Sequence, residues 1–274
     1  MPKHDPRPIG VFDSGVGGLT VLKAARAALP AEHFTYLGDT ARLPYGTKSP
    51  DTVLRYAERA AAYLRTHDIK LLVIACNTAS AVALSALQKS LAPLPVVGVV
   101  EPGARAAVAA MPKARHLVLA TEATVRLHAY RDAVAALDAD ARVDELACEL
   151  LVALAEEGWT DDDIAIAAVR RYLEPYFANG SFKPQSLILG CTHFPLLRNA
   201  VRAVVGSAVS IVDSADTTAQ VVTALLRDRQ LAAQPGGIGG LTLLATDGAS
   251  RFARVGGFFL GQDLSASDIR LTDL

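Results

Sequence analysis

Cysteine is scarce in this chain: Cys76, Cys148 and Cys191 are the only three among 274 residues. They are too few and too odd in number for a disulfide scaffold, and they lack the paired spacing of a zinc site, so all three read as free thiols. Excess charge of one sign is missing as well. Lys and Arg total 27 against 28 Asp and Glu, a formal net charge of -1, and no basic run is dense enough to make a phosphate-binding stripe, which excludes nucleic acid as the expected partner. The N-terminal MPKHDPRPIG has no apolar signal core, and no apolar run reaches bilayer length, so the expectation is a cytoplasmic protein with no membrane association. Gly/Ser-rich and Pro-rich linkers are also lacking. What is abundant is apolar residue, 51% of the chain, ample for one large core or two ordinary ones.

Short apolar or β-branched runs alternate with helical patterns. Ile9 to Phe12, Phe34 to Leu37, Leu71 to Ala75 and Val96 to Val100 form a first series, each followed by turn chemistry, as expected of buried parallel strands. Pro50 to His67 reads as a helix with Ser49 at the N-cap, Pro50 at the first helical position and Val53, Leu54, Ala57 and Ala61 on one face. A second series has strands at Leu117 to Ala120, Leu187 to Leu189 and Ser210 to Val212, with helices near Leu127 to Ala136 and from Thr160 through Tyr172. Such alternation predicts an α/β fold of two similar domains, each an open, mainly parallel sheet flanked by helices. The expected boundary lies near Gly98: residues 1–97 with 210–274 form the first domain, and 98–209 the second. A helix near Thr217 to Arg227 and a strand at Leu241 to Ala245 belong to the returning tail. Gln234 to Gly240, QPGGIGG, reads as a turn, since no helix with a Lys-Ser or Lys-Thr pair follows it.

One pattern occurs twice. LLVIACNTASAVALSAL places Cys76, Asn77 and Thr78 after an apolar run, and LILGCTHFPLL does the same with Cys191, Thr192 and His193. Ligands of open parallel sheets bind outside the carboxyl ends of the strands. The strand-end residues Asp13, Ser14, the loop Gly38 to Gly46, Cys76 to Thr78, Thr121, Thr124 and Cys191 to His193 are therefore the candidates. Taken singly, a cysteine ending an apolar strand is an ordinary small core residue; two in matched contexts point to a pair. Two thiols in one cleft suit proton transfer at both faces of one carbon, where a thiolate removes a proton and the opposite thiol returns one. A cysteine at the start of a helix also sits where backbone N–H groups favour the thiolate.

FDSGVGGLTV, LPYGTKS, ACNTASA and LGCTHFPLL together closely resemble the bacterial glutamate racemases, and these motifs span nearly the whole chain. The resemblance implies two α/β domains with the active site in the cleft between them, and a cofactor-independent, metal-free racemisation of L- and D-glutamate that supplies D-glutamate for peptidoglycan. A homodimer is implied too. Carried over, Cys76 and Cys191 are the two acid/base thiols, with Asp13 beside the first and His193 beside the second. Ser14, Pro44, Tyr45, Gly46, Asn77, Thr78, Thr121, Thr124 and Thr192, with Asp13 and His193, match positions that hold the substrate. An acidic residue that assists the second cysteine falls on Glu156, with Glu157 as its alternative. The chain departs from the family in LATEATV, where Ala120 and Ala123 stand at positions usually occupied by glycine, and in Glu149 and Ala153, where prolines are common.

Other readings use fewer of the motifs. DSGVGGLT with Asp39 resembles part of a dinucleotide-binding turn, but the third glycine of GxGxxG is missing. Cys76, Cys191 and His193 have zinc-ligand chemistry without zinc-site spacing. A two-lobed binding module shares the architecture but gives the matched thiols no task. An aspartate or other acidic amino-acid racemase of the same superfamily is the nearest alternative.

Overall fold

The computed structural model describes residues 4–177 and 183–274. The chain begins β1 (Ile9–Asp13), α1 (Leu19–Ala28), β2 (Phe34–Gly38), α2 (Pro50–Arg65), β3 (Leu71–Ile74), α3 (Asn77–Ser90) and β4 (Val96–Gly98). It continues with α4 (Val100–Ala110), β5 (Arg115–Ala120), α5 (Glu122–Arg126), α6 (Ala129–Leu137), β6 (Arg142–Ala147), α7 (Glu149–Glu157), α8 (Asp163–Phe177), β7 (Ser186–Gly190), α9 (Arg198–Val205) and β8 (Ser210–Asp213). The returning segment adds α10 (Ser214–Asp228), β9 (Leu241–Ala245), α11 (Ala249–Leu260) and β10 (Ile269–Leu271). Two compact units result, Met1–Val99 with Ala215–Leu274, and Val100–Ser214.

The first unit carries a six-stranded sheet in the order β10-β9-β2-β1-β3-β4, and the second a four-stranded sheet in the order β6-β5-β7-β8. All pairings among the described residues are parallel. In each sheet the chain moves outward from the unit's first strand on one side, then crosses to the other. The point where strand order reverses therefore lies between β1 and β3 in the first sheet and between β5 and β7 in the second. Those are the places where such sheets bind ligands.

Packing follows the apolar runs. β1, β2, β3 and β7 are buried throughout, as expected of strands covered by helices on both faces. In the first unit Phe12, Leu37, Leu72 and Ile74 of the sheet meet Val53, Ala57, Ala60, Ala61 and Leu64 of α2 and Ala79, Ala83 and Leu87 of α3. The alanine stripe lets α2 come close to the sheet, and each large buried side chain is worth about 1.5–3 kcal/mol. A separate cluster in the second unit joins Ala104 and Ala107 of α4 and Tyr130 and Val134 of α6 to Val118, Ala120 and Ile188.

Several elements differ from expectation. Ser49 precedes α2 as predicted but makes no side-chain cap; its hydroxyl donates to Thr52 Oγ1 instead. Val100 opens α4 and does not extend β4. The helix expected from Thr160 starts at Asp163 and runs to Phe177. β8 pairs with β7, so the second unit extends past the expected 209 to Ser214, and the return to the first begins at Ala215. β6 was not anticipated because its sequence, RVDELA, lacks apolar alternation; it is an edge strand, partly exposed, and tolerates charge.

Candidate active site

In the first unit β1 ends at Asp13, almost fully buried at 1% exposure. The chain turns at once: the Gly15 N–H donates to Asp13 Oδ2 at 2.8 Å, and the turn leads into α1. Gly18 is required there, since a Cβ would stand 2.6 Å from the Asp13 Cβ and 2.8 Å from the Ala75 Cβ. β3 runs beside β1 in register, Phe12 opposite Ile74, which carries Cys76 to the same end of the sheet. Cys76 is the N-cap of the fourteen-residue α3, and the Ala79 N–H donates to its Sγ at 3.4 Å. The positive end of a helix and a backbone donor both favour the thiolate over the thiol. Asn77 and Thr78, buried in the first turn of α3, lie directly beside it.

The loop after β2 frames this half. Tyr45 is buried against Phe12 and Tyr56, and its hydroxyl donates to Asp39 Oδ2 at 2.6 Å. Asp39 also accepts from Arg42 and Thr246. Asp39 is thus the anchor of the loop, which accounts for an acidic residue that a dinucleotide-binding reading would have aimed at a ribose. Burial and the neighbouring Asp39, Cys76 and Asp13 charges push the Tyr45 phenol strongly upward, so it stays protonated. Gly46 is buried and Pro44 is exposed beside Tyr45, while Ser14 is half-buried.

In the second unit Cys191 follows β7, and three side chains form a line. Cys191 Sγ lies 3.7 Å from His193 Nδ1, and His193 Nε2 lies 3.1 Å from Glu156 Oε1. Burial opposes charge on the imidazole, but hydrogen bonds to Cys191 and Glu156, and the negative charge on both, outweigh it and raise His193 to about 10. At neutral pH His193 is an imidazolium that donates to the sulfur on one side and the carboxylate on the other. Glu156 projects from α7 to make this contact, whereas Glu157 is exposed. β5 ends beside β7, Ala120 opposite Gly190, and brings Thr121 and Thr124, their hydroxyls 3.2 Å apart, to the same sheet end. Ala120 and Ala123 are buried without positive φ, so alanine meets no backbone strain at either position. Thr192 is buried between Cys191 and His193 in sequence.

Cys148 is the thiol that stands apart. It caps α7, is fully buried, and its Sγ faces the Leu146 carbonyl at 3.6 Å. Burial first, then the Cys191 and Glu149 charges, pushes it strongly toward the protonated form, the opposite of what a base needs. Two buried phenols escaped the sequence reading: Tyr36 in the first unit and Tyr130 in the second, each raised by burial and by the charge of a site cysteine. A tyrosine within a fully buried strand is the signal for Tyr36. A cavity of about 700 Å³ in the first unit, lined by Arg7, Arg65, Pro95 and Arg229, opens at the amino ends of the strands, away from Cys76. Among the described residues no group of three or more His, Cys, Asp or Glu side chains could hold a metal ion, and no helix is long and apolar enough to cross a membrane.

The profile of the Asp/Glu/hydantoin racemase family matches residues 17–222. The chain belongs to that family. The racemase is 49% identical over 258 residues to the glutamate racemase of Geobacter metallireducens, a match that covers 94% of each chain. Among solved structures, glutamate racemase from Thermus thermophilus in complex with β-chloro-D-alanine superposes with a TM-score of 0.87 at 43% identity, covering 98% of each chain. Glutamate racemase from Francisella tularensis in complex with D-glutamate gives 0.87 at 32% identity, again over 98% of each. The racemase therefore shares its two-domain α/β architecture with proteins solved around amino-acid ligands.

Proposed function

We propose that this racemase interconverts L- and D-glutamate without a cofactor, using Cys76 and Cys191 as the two bases. The observation that carries the reading is the repeat: each sheet puts one cysteine at the carboxyl end of its third strand, at the point of strand-order reversal, with its own ionisable partner. A single-base enzyme would need one such thiol. In this reading the thiolate of one cysteine takes the α-proton, the thiol of the other delivers a proton to the opposite face, and the configuration inverts. Asp13 and His193 tune the neighbouring sulfurs, and Glu156 holds His193 protonated and oriented. Ser14, the Pro44–Gly46 loop, Asn77, Thr78, Thr121, Thr124 and Thr192 hold the amino and carboxylate groups. By family resemblance Cys76 faces D-glutamate and Cys191 faces L-glutamate, the protein works as a cytoplasmic homodimer, and its product feeds peptidoglycan.

The test is direct. Purified protein is incubated separately with L-glutamate and L-aspartate after exhaustive chelation, with no added cofactor, and followed by chiral chromatography. Formation of D-glutamate with aspartate left unchanged is the expected result. Turnover of aspartate alone moves the protein to the aspartate racemases, and activity that returns only on adding a metal overturns the cofactor-free reading.

A further inference from the structure

Tyr36 lies in the middle of β2, fully buried, its ring edge-to-face with Phe252 of α11 at 6.0 Å. Apolar neighbours account for the ring but not for the hydroxyl, and a buried hydroxyl must find a partner. It donates to the Gly15 carbonyl oxygen at 3.0 Å. The same peptide segment supplies the Gly15 N–H that donates to Asp13 Oδ2 at 2.8 Å. Gly15 is held from a second side as well, because Gly38 approaches so closely that a Cβ there would stand 2.3 Å from the Gly15 oxygen. The turn that carries the donor for Asp13 is therefore clamped between a phenol and a bare glycine backbone, both supplied by β2.

We propose that Tyr36 is a positioning residue for the Cys76 half of the reaction: by holding the residue Gly15 through its carbonyl it holds the N–H that Gly15 gives to the carboxyl of Asp13. The inference rests on the two-thiol reading above for its kinetic test, but its geometry stands on Tyr36, Gly15 and Asp13 alone. Burial and the charges of Asp13 and Cys76 keep the phenol protonated, so its one O–H stays available to the Gly15 carbonyl and it does not itself carry the α-proton. A misplaced acid/base partner costs about 10-fold to 100-fold in rate.

Tyr36→Phe keeps the ring and its packing and deletes the hydroxyl. Racemisation should fall by about tenfold or more, and the loss should be confined to one proton transfer. With α-deuterated D- and L-glutamate compared separately in ordinary water, the isotope effect on kcat/KM should rise for the enantiomer that Cys76 deprotonates and fall for the other. Asp13→Asn should shift both in the same sense and His193→Asn in the opposite sense. A loss of rate with both isotope effects unchanged marks a merely structural hydroxyl and overturns the proposal, as does wild-type behaviour. A second arm needs no substrate: alkylation of Cys76 by iodoacetamide across pH, read by peptide mass spectrometry. Its half-point should move in Tyr36→Phe in the direction it moves in Asp13→Asn, while that of Cys191 stays put. A protein that does not racemise glutamate would defeat the functional reading, yet this arm would still decide for or against Tyr36, and an unmoved Cys76 half-point decides against it.

Discussion

Cys76 and Cys191 occupy the same place in two sheets of the same winding, but their surroundings are chemically opposite. Behind Cys76 stand a buried carboxyl group, a phenol and the N-terminus of a fourteen-residue helix. Behind Cys191 stands the His193 imidazole, raised by its contacts with the sulfur and with the Glu156 carboxylate. The helix N-terminus is a fixed partial charge that does not titrate, so the first thiolate is favoured by backbone geometry. The second thiol instead lies against a titratable side chain, His193. The two sheets thus hold a thiol at the same position beside unlike ionisable partners.

Removing either thiol should erase the distinction between halves, because each direction needs one base and one acid. Cys76→Ala and Cys191→Ala should each lower racemisation by about 10⁴-fold, the upper end for loss of a positioned acid–base group. Chiral assay in both directions checks this, and near-normal activity in either variant would return that cysteine to a core role.

Substituting the partners should instead expose the asymmetry. Asp13→Asn and His193→Asn should each cost about 10²-fold with the fold intact by circular dichroism, and their effects on kcat should fall unequally on the two directions. Glu156→Gln should do less, about tenfold, because the imidazole keeps its hydrogen bond and loses only the charge that raises it. Its signature is a pH profile: activity that depends on the imidazolium should fail at lower pH in the variant than in the parent, and identical profiles would leave Glu156 with no part in holding His193 protonated.

The same contact makes a stability prediction for the second unit. His193 is raised from its usual 6.5 to about 10 in the folded chain, so its protonation stabilises the fold. That contribution is complete below about pH 6.5, declines as pH rises toward 10, and is lost above it. The difference in denaturation midpoint between parent and His193→Asn should therefore shrink across that window. The smallest effect is expected at the third thiol: Cys148→Ala should leave turnover within about twofold while costing about 1 kcal/mol in stability, an ordinary core truncation.

How much of this was legible follows from what each feature depends on. Strand-end cysteines show in sequence because a buried parallel strand is a continuous apolar run whose end is plain, and the repeat of LLVIACNT in LILGCTH marks both. Asp13 shows for the same reason. Glu156 came only through resemblance, since its contact with His193 depends on how α7 follows β6, an edge strand with no apolar signature. The choice between Glu156 and Glu157 needed the helix phase of α7, which only coordinates supply. Tyr36 was hidden because its partner is a backbone carbonyl in the turn after β1, brought near by the close approach of Gly38, a contact that no local pattern records.

The central claim is that the two thiols divide the work, one to each face of the α-carbon. It is tested most directly by wild-type enzyme turning over each glutamate enantiomer in deuterated water, sampled early and analysed for label in both enantiomers. The account predicts deuterium at the α-carbon of the product from the start, with little in the recovered substrate, whichever enantiomer is supplied. Label returning to the recovered substrate as fast as it enters product would mean one base serving both faces, and would contradict it.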